Sequence, residues 1–484
     1  MSQQNIPTGR TAPIGTWQVA VAGVALVVAS STMVSEFTGF FRLGLAFVPA
    51  LAAGFAINLL LGISAARLSV VYPRAGALYD YARAVIGGSA GRFIGAVLGL
   101  TFVGMFAFAA SGETAAGAFG LKALIGSDLP LGVFVVVLTA LAVLPNILGI
   151  RTTAWISALL LLVMLGIRWF FGLAGFLGVS DTGAWSSEHM IDAATAASWF
   201  GGDGILTAGL ALALWSFVGI EFACSLAEEV KSPKKSMPRG LLIGLAGVLL
   251  TTIVMGLGVA GTEPLAAWRT AVESDLGYGG DAPQLAVGSL MFGRVGYLLM
   301  ALSSVAATLG TLTVAYAAMP RIIYSVARDG YFFGPLSNTF GTLHPKFGTA
   351  VKATLLCAAL YVGPALYSNS VIDWLFTAAY CWTALYGVFH VLAVVDSYRR
   401  RKTEPARRTR WFIATGVFGI AATTFGLYVA FAGSHAHYGM RSLLMCAVVI
   451  ACTAISFALS NRRSTVPSLG TAVELNYAPS NSNN

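Results

Sequence analysis

The chain has 484 residues, of which 57% are apolar and 10% charged, against roughly 25% charged in an ordinary soluble domain. Its 29 basic and 20 acidic residues cannot cover the surface of a soluble chain of this length, and its mean hydropathy is +0.78. A soluble multidomain protein, a disordered chain and a nucleic-acid binder are excluded together.

Apolar stretches of about 20 residues bounded by charge or turn residues predict transmembrane helices. Residues 1–16 are polar and are expected to form a cytoplasmic N-terminus. The apolar segment that follows is too long for a signal-peptide core, so it is kept as the first span. Twelve spans are predicted, at about 17–41, 44–70, 93–121, 129–149, 153–178, 205–228, 240–261, 290–319, 350–368, 371–395, 411–432 and 440–460. Between the fifth and sixth lies an outer loop, 179–204, with Trp185 and Trp199 as interface anchors. A second outer loop, 262–289, is expected to carry a short surface helix. Residues 461–484 are Ser/Asn-rich and read as a disordered cytoplasmic tail.

The order of the charges sets the orientation. With the N-terminus inside, 23 of the 29 basic residues fall on inner loops and helix ends and five on outer ones, with Arg168 inside a span. That bias predicts a multi-pass protein of the plasma membrane, in a bacterium the inner membrane. The net charge of +9 is therefore an orientation signal. Cys224, Cys357, Cys381, Cys446 and Cys452 stand singly in apolar runs, with neither a CxxC pair nor a Cys/His cluster of zinc spacing. No metal, no cofactor and no catalytic group is expected. The integral-membrane enzyme alternative lacks a nucleophile–base pair.

A membrane helix can open its backbone only where it lines a cavity. Ala29-Ser30-Ser31-Thr32, near the centre of the first span, is one candidate break, although such hydroxyls also bond their own helix carbonyls. Trp215-Ser216-Phe217-Val218-Gly219-Ile220-Glu221 in the sixth is the second, with a Gly beside an aromatic and a mid-membrane acid. These spans open the two halves of a five-plus-five arrangement, 17–178 and 205–397, with 398–460 as two additional helices. Interrupted helices at matching places of inverted halves point to a transporter site.

The second break and the residues after it, Glu229-Val230-Lys231-Ser232-Pro233-Lys234-Lys235 and Met237-Pro238-Arg239, resemble the amino acid–polyamine–organocation transporter superfamily. Tyr72-Pro73-Arg74-Ala75-Gly76-Ala77-Leu78-Tyr79 and Ala327-Arg328-Asp329-Gly330 are similar to two further markers of that family. The helix-six motif resembles its arginine–agmatine antiporter branch. The resemblance implies an all-α integral membrane protein of LeuT-like fold: inverted five-helix repeats plus two extra helices, twelve in all. It also implies that bare helix-one amides hold a substrate carboxylate. Here Ser30, Ser31 and Thr32 stand where the family carries Gly-Ser-Gly, which weakens that cradle. Ala315 falls where the antiporter has a stacking aromatic, and Met164 where some members carry a coupling Lys.

The resemblance and the buried charges together give a candidate site. Ser30, Ser31, Thr32, Ala110, Glu113, Trp215, Ser216, Phe217, Val218, Gly219 and Ala315 are expected to bind substrate, with Glu113 accepting an amine. Glu221 is the expected proton-coupling carboxylate. Arg168 either pairs with Glu113, snorkels outward or serves function. Glu36 is expected to be solvated, Asp80 and Arg83 to staple an inner loop, and Tyr380, Cys381 and Trp382 to be open between cavity wall and packing. Sodium coupling through Ser303 and Ser304 stays open. The expected function is secondary active transport of small organic amines or amino acids, cationic or decarboxylated amines favoured, coupled to protons or by exchange. A transporter-like nutrient sensor and a neutral amino acid permease are the alternatives. The expected partners are that small-molecule substrate, protons and the lipid bilayer, the chain being a monomer or homodimer.

Overall fold

A computed structural model describes residues 14–74, 76–148, 150–191, 198–200, 204–432 and 436–461. Arg10, Arg462 and Arg463 of the charge pattern, Ala75 of the family-like stretch, parts of the predicted outer loop (192–197 and 201–203) and the expected tail beyond 461 lie outside the described residues.

The chain runs through α1 (Thr16–Val27), α2 (Ser30–Leu43), α3 (Phe47–Val71), α4 (Leu78–Ile86), α5 (Gly88–Ile125), α6 (Leu131–Leu148), α7 (Ile150–Leu177) and α8 (Ile205–Trp215). It continues through α9 (Pro233–Ala260), α10 (Leu265–Glu273), α11 (Pro283–Arg328), α12 (Leu336–Phe340), α13 (Val351–Tyr367), α14 (Val371–Arg399), α15 (Ala406–Ala430) and α16 (Ala436–Asn461). Among the described residues the single β-type contact is a bridge between Ile14 and Val230. The fold is all-α.

Among the described residues ten helical runs are long and apolar enough to cross a membrane. One of them, Ser30–Val71, is α2 and α3 joined through a bend at Gly44, so it holds the end of the first predicted segment and all of the second. The 17-residue α13 is the ninth predicted segment. Burial sorts the helices into centre and rim. The central run Ile205–Cys224 has 94% of its apolar window buried and α5 72%, while α16 has 17%. Leu162, Phe418, Leu444 and Ile455 are exposed on the rim, as an apolar solvent permits. At the centre α11 lies against α5 through small residues: a Cβ on Gly117 would sit 2.3 Å from Thr308 Oγ1.

Several boundaries differ from expectation. The eighth predicted span starts at Pro283, and its backbone leaves helical geometry at Phe292 and Gly293. The surface helix expected in 262–289 is α10, yet its Trp268 is fully buried and stacks on Phe41 at 4.9 Å. Trp185 is no free interface anchor either: its indole donates to Leu257 O at 2.8 Å. On the Arg-rich side, Arg67 pairs with Asp396 at 2.9 Å and with Glu404 at 2.8 Å, fastening α3 to α14. Arg83 pairs with Asp329, fastening α4 to the end of α11.

Candidate functional site

Two transmembrane segments are broken near their centres. The first opens at Val28 and Ala29, at the leading edge of the expected stretch, and Ser30–Thr32 form the first turn of α2. Ala29 has an extended backbone (φ −83°, ψ 170°) and supplies no side-chain cap to α2, Ala being among the poorest N-cap residues. The second segment ends its α-helix at Trp215, passes through irregular 216–219, and resumes as a narrower helix at Ile220–Glu229.

Buried backbone groups freed by a break need partners, and neighbouring helices provide them. Arg168 Nη2 from α7 donates to Ala29 O at 2.6 Å. Thr311 from α11 donates to Ala25 O at 3.3 Å, and Thr32 closes on Val27 O at 2.6 Å. On the amide side, Glu113 from α5 accepts Ser30 N at 2.9 Å on one carboxylate oxygen and Ser31 N at 2.8 Å on the other. Thr308 also donates to Glu113, at 2.8 Å. A cation thus meets the Ala29 carbonyl within the break and an anion the amides that open α2, the latter matching the helix dipole.

This arrangement corrects two expectations. Arg168 pairs with Glu36, at 3.4 Å, and not with Glu113. Glu36 is not solvated but 1% exposed, and its other oxygen accepts Thr252 at 2.7 Å. Sequence position placed Glu36 near a helix end, but Phe37, Phe41 and Trp268 pack over that end. Glu113, expected to accept a substrate amine, is 2% exposed and turned into the break.

The second break is organised around Glu221, which is 2% exposed. Trp382 Nε1 from α14 donates to its Oε1 at 2.5 Å. Gly219 N donates to Oε2 at 3.2 Å, and the Tyr386 hydroxyl lies 3.5 Å from the same oxygen. Among the described residues no cation pairs with this carboxylate. Gly219 has φ +123°, and a Cβ there would lie 2.4 Å from Leu26 Cδ2. The positive φ demands glycine where the two broken segments touch, the Leu26 methyl being free to shift. Trp215 Nε1 donates to Ser31 Oγ at 3.1 Å, joining break to break.

The remaining expected residues divide. Ser216 bonds Leu212 O at 3.0 Å within its own helix. Phe217 turns to Phe55 of α3, ring centroids 5.6 Å apart. Val218 is buried, as are Ala110, one turn before Glu113, and Ala315 on α11. Ser30 Oγ is buried without a hydrogen-bond partner among the described residues. Ser304 accepts Gln284 Nε2 at 3.1 Å, whereas Thr308 and Thr311, farther along α11, are the residues that reach the break.

Of an aromatic cluster beside the second break, sequence reasoning had singled out only Trp382. Trp382 stacks on Phe222 at 6.0 Å and 5°, and Phe106 packs on Phe222 at 5.3 Å and on Tyr361 at 5.1 Å. Tyr361 in turn meets Tyr316 at 5.7 Å. Tyr316, the residue after Ala315, lines a cavity of about 430 Å³ on the Arg-rich side. Its wall includes Arg74, Asp80, Asn146, Arg321 and Arg328. The rings form a continuous chain from that cavity to Glu221. Spacing did not reveal them, because aromatic residues at helical intervals look the same in any apolar core. Outside the spans, burial pushes the Asp80 carboxyl up to about 6. Asp80 accepts Gly76 N at 3.1 Å.

A family model described as amino acid permease matches residues 14–456. A vacuolar cationic amino acid transporter 4 of Arabidopsis thaliana is 28% identical over 375 residues, 74% of this chain and 57% of the relative. A vacuolar cationic amino acid transporter 2 of the same plant is 29% identical over 72% of this chain and 53% of its own. A methylthioribose transporter of Bacillus subtilis (strain 168) is 25% identical over 63% of each. The chain spans a little more than half the length of the plant relatives.

Proposed function

The chain belongs to the amino acid permease family, and we propose that it is a secondary active transporter of small organic amines or amino acids. Cationic or decarboxylated amines are the favoured substrates, and protons or a second substrate drive the exchange. The names of the relatives, cationic amino acid and methylthioribose transporters, support transport of small polar molecules. The segments 17–178 and 205–397 act as inverted repeats, each opening on a broken helix, and rocking of the broken helices against the rest gives alternating access.

The observation that carries this reading is Glu221. A carboxylate without a cation partner is expensive in a membrane and marks an ion or proton pathway. Here it sits in the second break, bonded to the backbone of that break and to α14. A proton arriving on one of its oxygens weakens that oxygen as the acceptor of Trp382 or of Gly219 N, which links protonation to the shape of the break. The Arg-rich side is the inner side by the distribution of basic residues, so the cavity beside Tyr316 serves as the inner vestibule. Phe41, Trp268 and Arg269 close the opposite end, with Arg269 donating to Phe41 O at 2.8 Å.

The test is uptake of labelled amines and amino acids into proteoliposomes under an imposed pH gradient. Accumulation that collapses when the gradient is dissipated supports proton coupling. Binding without any flux, under any gradient or counter-substrate, overturns the transporter reading.

A further inference from the structure

The three carboxylates buried at the centre have different partners. Glu36 takes Arg168 and Thr252. Glu221 takes Trp382, Gly219 N and Tyr386. Glu113 takes the free amides of Ser30 and Ser31, with Thr308 holding it from behind. A helix start with open amides attracts an anion. At α2 that anion is part of the chain.

Resting on the transporter reading, we propose that Glu113 is a specificity-determining residue: its built-in carboxylate fills the anion site of the first broken helix, so the substrate is an organic cation that carries no carboxylate. Two independent features of the site agree. The first is geometry, since both carboxylate oxygens are already on the amides that an incoming carboxylate needs. The second is charge. Glu36, Glu113 and Glu221 are all buried, and among the described residues only Glu36 pairs with a cation, Arg168, so the centre is short of positive charge. A ligand carboxylate would either crowd Glu113 or expel it among Ala109, Ala110, Ala115 and Ala116, which are all buried. Like charges in such a place repel strongly. A ligand ammonium meets the opposite situation, with the cation-free carboxylate of Glu221, set beside the rings of Phe106, Phe222 and Trp382, to pair with.

The test has two arms. In the first, thermal stability of purified wild type, Glu113→Ala and Glu113→Asp is measured in sodium acetate against sodium chloride at equal ionic strength. The Ala variant should lose stability and regain much of it in acetate, the Asp variant should fall between, and wild type should ignore acetate. In the second, unlabelled amines and their parent amino acids compete for binding and uptake of labelled cadaverine and isoamylamine by wild type. Lysine and leucine should compete at least about tenfold more weakly than cadaverine and isoamylamine. Acetate that acts alike on wild type and Glu113→Ala overturns the proposal. So does a wild type that prefers lysine to cadaverine and leucine to isoamylamine. The wild-type comparison decides even if the Ala variant does not fold. If wild type moves none of the panel, the transporter reading fails, while the acetate arm still decides whether Glu113 fills an anion site.

Discussion

Trp215 Nε1 donates to Ser31 Oγ at 3.1 Å, so the end of α8 is hydrogen-bonded to the first turn of α2. The two broken helices are therefore one mechanical unit. Trp215→Phe keeps the ring and removes the donor, and Ser31→Ala removes the acceptor. Each should cost about 0.5–1.5 kcal/mol, and the double variant should cost less than the sum of the two. Denaturation midpoints of the four proteins measure the coupling, and strict additivity would show that the bond carries none.

Arg168 and Glu36 supply a sharper cycle. Both are buried, and the guanidinium also holds Ala29 O. Neutralising one partner leaves a buried unpaired charge and should cost about 3–5 kcal/mol. Arg168→Gln with Glu36→Gln should recover part of that loss. Recovery should be incomplete, because Ala29 O still lacks its charged donor. The same cycle with Glu113 in place of Glu36 should show little recovery.

Gly219→Ala should be among the most damaging single-methyl changes in the chain. A φ of +123° is one that L side chains rarely adopt, and the new Cβ forces the Leu26 methyl, 2.4 Å away, to shift where the two breaks touch. Gly87→Ala provides the control: it too has positive φ, but nothing lies within 4 Å of its Cβ. Loss of uptake and expression should be far greater at 219.

Asp80 gives a pH prediction outside the spans. Burial raises its folded pKa from 3.8 to about 6. A raised carboxyl pKa means that the folded state holds the proton more tightly than the unfolded chain. Its contribution is full below the unfolded value near 4 and is lost as pH rises through 6. Every tenfold difference in proton affinity between the folded and unfolded chain corresponds to about 1.4 kcal/mol. Asp80→Asn should therefore flatten the decline in stability between pH 4 and 6 and be the more stable protein at pH 7. Equal slopes for the two proteins across that window would count against it.

The fold was legible because membrane spans are written in composition. Long apolar runs and clustered Lys/Arg need no tertiary knowledge. Both breaks were legible for the same reason: a hydroxyl run and an acid beside Gly are conspicuous against Leu, Val and Ala. Partnership was not. Glu36 and Arg168 are 132 positions apart and meet because α2 and α7 both pack against α9 and α11, which no spacing rule encodes. Glu113 was visible as a buried acid, but its target, two backbone amides, has no sequence signal. Thr308, Thr311 and Tyr386 were hidden among ordinary residues of packed helices, and Trp382 was singled out only as cavity wall or packing. Ala315 came from counting along a family pattern. The aromatic that lines the cavity is its neighbour Tyr316, whose ring pairs with Tyr361.

The central claim is that Glu221 couples proton occupancy to transport, and uptake against pH in Glu221→Gln tests it most directly. Gln keeps the size and the acceptor for Trp382 but cannot exchange a proton. Wild-type uptake into proteoliposomes should rise and fall with pH, while the variant, folded and still binding substrate, should give a flat profile and no accumulation on a pH gradient. A Glu221→Gln protein with the wild-type pH profile would contradict the account.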